Sequence, residues 1–285
     1  MEDTKILTMP VIALRGLTML PEMTISFDIS RKKSIAAVEK AMVSDQRVCL
    51  VAQKDPDIQN PAFEQLYHIG TVSYIKQLVK MPGGIVRVMA EGQERAELLD
   101  LDSEEPALIG EVLLTEEQEA DVDGAAAEAM SRILKEKLEA YGRQHPKFAK
   151  EILPNMMLCD DLESLMLQMA SELPWDYRIR QSYLEEPTLA GQYEVLLSNL
   201  IHEIEVSQIH RELQEKVKEN IDKNQKDYIL REQMKVIREE LGEDLMSDAD
   251  EYEKQLASLK ADKEVKEKIQ KEIDRTGKQC DPHLH

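Results

Sequence analysis

Residues 72–89 read VSYIKQLVKMPGGIVRVM, and this stretch decides the fold of the first part of the chain. Two runs rich in strand-forming residues, one ending at Lys80 and one beginning at Ile85, flank the break Met81-Pro82-Gly83-Gly84. Proline and glycine between two such runs are typical of a turn between paired strands. The stretch therefore predicts a β-hairpin whose turn lies at residues 81–84.

Further strand patterns surround this hairpin. Ile25, Phe27 and Ile29 alternate with polar residues, which is the period of a half-buried strand. Apolar runs at residues 47–52 and 107–114 indicate two more short strands. The first part of the chain is therefore predicted to be rich in β-structure.

One helix interrupts these strands. Residues 34–41 place apolar side chains at helical spacing, with Ser30 before them as the expected cap. Several short strands with a single helix predict a small, partly closed β-barrel over residues 1–117.

The next part of the chain favours helices. Residues 125–141 are rich in alanine, leucine, lysine and glutamate, which are strong helix formers. Asp160, with Glu163 three residues later, resembles a capping box that opens a further helix, and Pro174 ends that helix. Residues 118–187 are therefore predicted to form a helical bundle lobe.

A long helix is predicted at residues 188–242, because proline is absent there. Its apolar side chains recur every three or four residues and form a narrow stripe on a charged, coiled-coil-like rod. Such a stripe is too apolar for a solitary helix in water, so we predict that it packs against another helix or another subunit. The stripe residues are Ile209, Leu213, Val217, Ile221, Met234, Ile237 and Leu241. A second charged helix is expected at residues 243–275, which completes an α+β architecture.

Composition excludes several classes of protein. The chain has 285 residues, a formal net charge of −20 and 42% apolar residues, which suit a water-soluble chain with a real core. No apolar run approaches the length of a membrane span, and the first residues do not resemble a signal peptide. Three cysteines without a paired spacing indicate a reducing compartment, so we expect a cytoplasmic protein without a membrane partner.

The sequence offers no catalytic residues. The phosphate-binding, dinucleotide-binding, serine-hydrolase and zinc-protease motifs are all missing. His202-Glu203 lacks the second zinc histidine, because residue 206 is Val206. We therefore predict no catalytic residue, no metal site and no cofactor in this chain.

Methionine beside proline gives the one positive signal for binding. The first such segment contains Met19, Leu20, Pro21 and Met23, and the second is Met81-Pro82 at the predicted hairpin turn. Methionine adapts to varied apolar partners, so exposed methionines at loop tips would suit a promiscuous binding surface. The alternative is that these side chains fold inward and fill gaps in a core that is poor in aromatic residues.

Four stretches of the chain resemble the amino-terminal region of bacterial Lon proteases. They are PVIALRG at residues 10–16, SELP at 171–174, QKDYILREQMK at 225–235 and ELGE at 240–243. The resemblance extends over about residues 6–275. It implies a PUA-like β-domain, a helical lobe and a long helix, as part of an ATP-driven, six-membered protease ring.

The resemblance also implies a function. It suggests a non-catalytic region that selects unfolded or damaged client proteins and helps the subunits to assemble, with ATP and Mg²⁺ acting elsewhere in the full-length enzyme. The ATPase domain and the Ser-Lys protease dyad of the family have no counterpart here, so we expect a Lon truncated before those domains. Residues 276–285 depart from the family and are expected to be a non-native or disordered tail.

A second function class stays open. PUA-like domains elsewhere bind RNA and some Lon proteins bind DNA, so the β-domain could act as a nucleic-acid adaptor. The chain has 56 acidic and 36 basic residues and no basic domain or tail, which counts against a surface for phosphates. Client recognition is therefore the favoured interpretation, and DNA the weaker one.

Overall fold

The computed structural model of the chain describes residues 6–103, 105–115, 121–240, 255–256, 265–266 and 268–272. It confirms the predicted α+β architecture, with a sheet domain first, then helices, then one long helix. The contacts divide the chain into two compact units, Met1–His210 and Arg211–His285. The β-domain and the helical lobe thus belong to one unit.

Six strands and one helix form the β-domain. They are β1 (Ile6–Leu14), β2 (Thr24–Ile29), α1 (Lys32–Val43), β3 (Arg47–Ala52), β4 (Ile69–Lys80), β5 (Val86–Ser103) and β6 (Ile109–Leu114), with a short 3-10 turn at Phe63–Gln65. The predicted hairpin is confirmed, because β4 pairs with β5 in antiparallel fashion up to Lys80 and Val86. Strand β1 was not predicted, and β5 is much longer than its sequence pattern indicated.

The sheet closes into a barrel through the long strand β5. The strand order is β2-β5-β4-β3-β1-β6, and β5 also pairs with β6. Both β4–β5 and β5–β6 contain register shifts, which bend β5 so that its second half can reach β6. Strand β2 lies outside the closed ring, on the first half of β5.

Two apolar clusters stabilise the β-domain. One fills the barrel with side chains from all five ring strands, including Val11, Cys49 and Leu98. The other packs α1 against the outer face of the sheet, through residues such as Val38 and Val88. The second cluster explains why the domain needs its single helix, since this face of the sheet would otherwise be exposed apolar surface.

The helical lobe contains five helices and the beginning of a sixth. They are α2 (Gly124–Gly142), α3 (Pro146–Glu151), α4 (Leu153–Met157), α5 (Leu162–Glu172), α6 (Tyr177–Glu185) and α7 (Leu189–Glu240). The early part of α7 contributes Tyr193, Leu196, Leu200 and Ile204 to the buried core of the lobe. The long helix is therefore anchored in the lobe by its first turns, and it is exposed from residue 208 to residue 237.

Two predicted helix caps are wrong by one residue. Asp161, not Asp160, caps α5, because its carboxylate accepts a hydrogen bond from the Ser164 amide at 2.7 Å. Helix α1 begins at Lys32, so Arg31 occupies the cap position instead of Ser30 and makes no side-chain capping bond.

Several predictions concern residues beyond those described. Of the helix expected at residues 243–275, the stretches 255–256, 265–266 and 268–272 are helical, and the rest lies outside the described residues. Leu241 and the tail at 276–285 also lie outside them. Among the described helices, none is long and apolar enough to cross a membrane.

Candidate functional site

The first Met-Pro segment is mostly buried, which overturns the expectation that Met19 and Leu20 lie at an exposed loop tip. Both side chains are almost fully buried. Met19 packs into the cluster beneath α1, whereas Leu20 belongs to the core of the helical lobe. Neither residue is available to a partner, so both leave the candidate binding surface.

Hydrogen bonds between distant parts of the chain hold this loop in place. The Thr18 hydroxyl donates to the Tyr177 carbonyl at 2.9 Å, and the Thr71 hydroxyl donates to the Met19 carbonyl at 2.6 Å. Gly92 lies so close that a Cβ there would be 2.1 Å from the Leu20 carbonyl oxygen. These contacts of Thr18, Met19 and Leu20 hold the loop between the barrel and α6, and we call them the clamp.

The clamp also includes hydrogen bonds along the junction between the barrel and the helical lobe. The Gln181 amide donates to the Ile69 carbonyl at 2.9 Å, and Gln181 is almost fully buried. The Arg95 guanidinium donates to the Leu184 carbonyl at 2.7 Å and to the Glu185 carbonyl at 3.0 Å. Burial from water lowers the pKa of Arg95. These bonds satisfy the carbonyls at the end of α6 and fix it to β5.

Pro21 and Met23 complete the first segment and are half-buried. Met23 packs against both the helical core and the α1 cluster. Between them, Glu22 has a positive φ of 60° and donates its amide to the Gly92 carbonyl at 2.9 Å. This short turn leaves only part of the Pro21 and Met23 side chains accessible.

The second Met-Pro segment lies at the hairpin turn and is exposed. Met81 is 37% exposed, and its amide donates to the Ile85 carbonyl at 2.8 Å. Gly83 and Gly84 have φ values of 83° and 76°, a conformation that glycine adopts without strain. The turn therefore holds Met81 and Pro82 at the end of a rigid hairpin.

The exposed apolar surface at this turn is larger than the sequence indicated. Val79 and Ile85, which flank the turn, are 40% and 36% exposed. We call Val79, Met81, Pro82 and Ile85 the hairpin patch. Val79 and Ile85 were missed because they were assigned to the two strands of the hairpin, and only Met81 and Pro82 to its turn. Their position next to a hairpin turn was the available signal, since residues that flank a turn are commonly more exposed than residues in the middle of a sheet.

The structure does not bring the two Met-Pro segments together. Met23 lies beside Gly92, just past the part of β5 that pairs with β2. Its carbonyl accepts a hydrogen bond from the Gly92 amide at 2.9 Å. The hairpin patch lies at the opposite end, beyond the pair Ile29 and Val86. The pairs Thr24–Glu91 and Ile29–Val86 are five residues apart, or about 17 Å along the strand. The single site expected from sequence is thus two separate apolar positions.

The predicted stripe on α7 is exposed in its described part. Its six described residues have about half of their side-chain surface accessible; they are Ile209, Leu213, Val217, Ile221, Met234 and Ile237. Leu241 lies outside the described residues.

Metal-ligating side chains do not cluster within the described part of the chain. No set of three histidine, cysteine or acidic side chains there could hold a metal ion. Burial in the barrel raises the pKa of the Cys49 thiol to about 12, so this cysteine is a core residue and a poor nucleophile. The accessible side chains of the hairpin patch are apolar.

Comparison with known proteins decides the family. Residues 8–202 match the family model of the ATP-dependent protease La (LON) substrate-binding domain. The chain belongs to the Lon protease family. The matched range includes the barrel, the helical lobe and the buried first turns of α7.

Individual Lon proteases are similar to this chain over most of its length. The chain is 44% identical over 268 residues to a Lon protease of Lachnoclostridium phytofermentans, which covers 94% of this chain and 33% of that protein. It is 34% identical over 275 residues to a Lon protease of Clostridioides difficile, which covers 95% of this chain and 35% of that protein. The chain thus spans about a third of the length of these curated relatives.

A solved structure supports the fold. The N-terminal domain of the Mycobacterium avium complex Lon protease superimposes with a TM-score of 0.55 and 19% identity. The match covers 68% of this chain and 97% of that one. At this level of identity the likeness concerns the fold alone.

Proposed function

We propose that this chain is the client-recognition region of a Lon protease, and that it binds exposed apolar segments of unfolded proteins. The observation that carries the proposal is the hairpin patch, an exposed apolar surface on a domain whose family is defined by substrate binding. Unfolded proteins expose apolar side chains that folded proteins bury, so a patch of this kind discriminates between the two.

The chemistry of the patch suits varied clients. Met81 has a flexible, polarizable side chain that adapts to different apolar partners. The hairpin that carries it is held by the ladder between β4 and β5. An adaptable side chain on a rigid support limits the entropy lost on binding. Each contact is weak, and several subunits acting together would add avidity.

The proposal is tested with one protein in two states. Native α-lactalbumin and its reduced, amidomethylated form differ in folding but share one sequence. We expect the chain to bind the unfolded form and not the native form, without ATP and in about 0.15 M salt. Met81→Ser should weaken that binding several-fold, because it removes an apolar contact from the centre of the patch.

Leu158→Ser provides the matched control. Leu158 is 77% exposed and lies in the helical lobe, away from the hairpin. Equal losses in Met81→Ser and Leu158→Ser would show nonspecific adhesion and would contradict the proposed site. Strong, salt-dependent binding of duplex DNA instead of unfolded protein would favour the nucleic-acid alternative.

We further propose that the exposed stripe of α7 contributes to assembly. In this proposal the chain acts in the cytoplasm as part of an ATP-dependent serine protease with six subunits, where ATP and Mg²⁺ act in the other domains. The support is the half-exposed apolar stripe, which a helix in water would gain free energy by covering. We expect only weak, concentration-dependent self-association of this chain by sedimentation.

The stripe is tested by introducing charge. Leu213→Asp combined with Val217→Asp should reduce the self-association and leave the barrel folded, since both residues lie beyond the matched domain. Replacing the neighbouring exposed polar residues Glu212 and Lys216 with alanine serves as the control. A tight hexamer at low micromolar concentration would contradict this proposal.

A further inference from the structure

Strand β2 has one edge that no other strand covers within the described part of the chain. It pairs only with β5, and it lies at the end of the strand order. The five ring strands each have neighbours on both sides, because β5 pairs with β6 as well as with β4. Parts of β1 and β4 also extend beyond their partners, but among the described strands β2 is the one that is paired on a single side along its whole length.

The direction of the β2 backbone groups follows from a single hydrogen bond. The Gly92 amide donates to the Met23 carbonyl at 2.9 Å, and these residues continue the register of the β2–β5 ladder. Hydrogen-bonded and non-bonded positions alternate along an antiparallel pair. Ile25, Phe27 and Ile29 therefore bond to β5, and the peptide groups of Thr24, Ser26 and Asp28 point away from it.

This edge lacks the features that usually protect exposed edges. Natural sheets block edge pairing with proline, lysine or a bulge. The sequence of β2 is TISFDI, and its six pairs with β5 run without a register shift. Its single charge, Asp28, is held by the Arg87 guanidinium at 2.7 and 2.8 Å. An approaching strand thus meets a straight edge with little uncompensated charge.

The edge also joins the two apolar positions that the fold separates. Met23 precedes one end of β2, and the hairpin patch lies beyond the other end, past Ile29 and Val86. We infer that an extended segment of an unfolded client pairs with this edge of β2 as an additional strand of the sheet. This inference rests on the proposed function and describes how the same domain would hold its client.

Pairing of this kind explains tolerance toward client sequence. Main-chain hydrogen bonds supply affinity in strand addition, and they are the same for almost every residue. About six extended residues would cover β2, roughly 20 Å of chain. Unfolded chains offer such segments, whereas folded proteins use these backbone groups internally. A second copy of this chain is the alternative occupant, and its pairing would depend on protein concentration.

The first experiment removes one outward amide. Ser26→Pro deletes the donor that points away from β5, and Ser26→Ala keeps the backbone while it removes the hydroxyl. With reduced, amidomethylated α-lactalbumin as the probe, we expect Ser26→Pro to weaken binding about tenfold, the effect of losing one or two hydrogen bonds. Ser26→Ala should bind within about twofold of the unchanged chain. Equal affinity of both variants would overturn the inference.

The second experiment uses the unchanged chain, so it does not depend on how the proline variant folds. Hydrogen exchange of the Thr24, Ser26 and Asp28 amides should slow at least about tenfold when the probe is bound, if the probe forms ladder bonds. The amides of Ile25 and Phe27 already bond to β5 and serve as internal controls. Protection confined to other residues would contradict strand addition.

The outcomes separate the two proposals. If the unchanged chain does not bind the unfolded probe, the proposed function fails. If it binds, but without protection of the outward amides, only strand addition fails. Protection of these amides that grows with protein concentration and needs no probe would show pairing between two copies, which also overturns the inference.

Discussion

The two Met-Pro segments have similar compositions and opposite environments. Residues 19–23 lie between the barrel and the helical lobe, with Met19 and Leu20 buried, whereas Met81 and Pro82 lie exposed at a hairpin turn. The difference comes from partners that are distant in sequence. Thr18 bonds to Tyr177, which is 159 residues away, while the hairpin turn bonds mainly to its own strands. Local composition therefore identifies a loop, and tertiary packing decides whether it is a surface.

The largest difference between the two segments should appear in stability. Leu20→Ser removes a fully buried side chain from the helical core and leaves a hydroxyl there, so the free energy of unfolding should fall by about 3–5 kcal/mol. Leu158→Ser is the same change at a residue that is 77% exposed, and it should cost less than about 0.5 kcal/mol. Urea denaturation of both variants measures the contrast. Similar midpoints would show that the loop at residues 19–23 is not clamped in solution.

Substitutions of Gly92 and Gly84 test the difference between the two Met-Pro segments at the backbone. A Cβ on Gly92 would meet the Leu20 carbonyl oxygen at 2.1 Å, so Gly92→Ala must displace the clamped loop. We expect a loss of about 2–3 kcal/mol, typical of overpacking. Gly84 at the hairpin turn has no neighbour within 4 Å but a φ of 76°, so Gly84→Ala should cost about 1–2 kcal/mol through local strain.

Gly92→Ala and Gly84→Ala should also differ in which parts of the chain they destabilise. Gly92→Ala should speed amide exchange in both the loop and α6, because the clamp joins them. Gly84→Ala should affect only the hairpin. Propagation of the Gly84→Ala effect to α6 would contradict this assignment of separate environments.

Gln181 tests the polar part of the clamp. Gln181→Met keeps the volume of the side chain but leaves the Ile69 carbonyl without its donor at the buried junction. The expected loss is about 1–2 kcal/mol, the cost of one unsatisfied buried group. Because the Thr18 hydroxyl also contacts Gln181 at 3.3 Å, Thr18→Val and Gln181→Met should not be additive in the double variant. Strict additivity would show that the two residues act independently.

Sequence patterns predicted the secondary structure better than the binding surface. The hairpin at residues 72–89 and the long helix could be predicted because their signals are local: a Pro-Gly-Gly break, and an absence of proline over many turns. Strand β1 was not predicted, and it contains Pro10, a residue that counts against a strand in a sequence pattern. The burial of Leu20 could not be predicted from its neighbours, since the side chains that cover it come from the helical lobe.

The smallest stability effect belongs to the exposed segment, and it decides whether the hairpin patch is a binding surface. Met81→Ser should change the free energy of unfolding by less than about 0.5 kcal/mol, because Met81 is 37% exposed and contributes to neither described cluster of the β-domain. Thermal and urea denaturation measure this change against the unchanged chain. The same variant should lose affinity for the unfolded probe.

If the hairpin patch is a binding surface, Met81→Ser must lower the affinity for the unfolded probe while the free energy of unfolding stays nearly unchanged. Met19→Ser provides the opposite case, since Met19 is buried and its loss should lower stability by about 2–5 kcal/mol. If Met81→Ser instead destabilised the chain as much as Met19→Ser, Met81 would be part of the core. The two Met-Pro segments would then differ in position only, and the hairpin patch would lose its support as the client-binding surface.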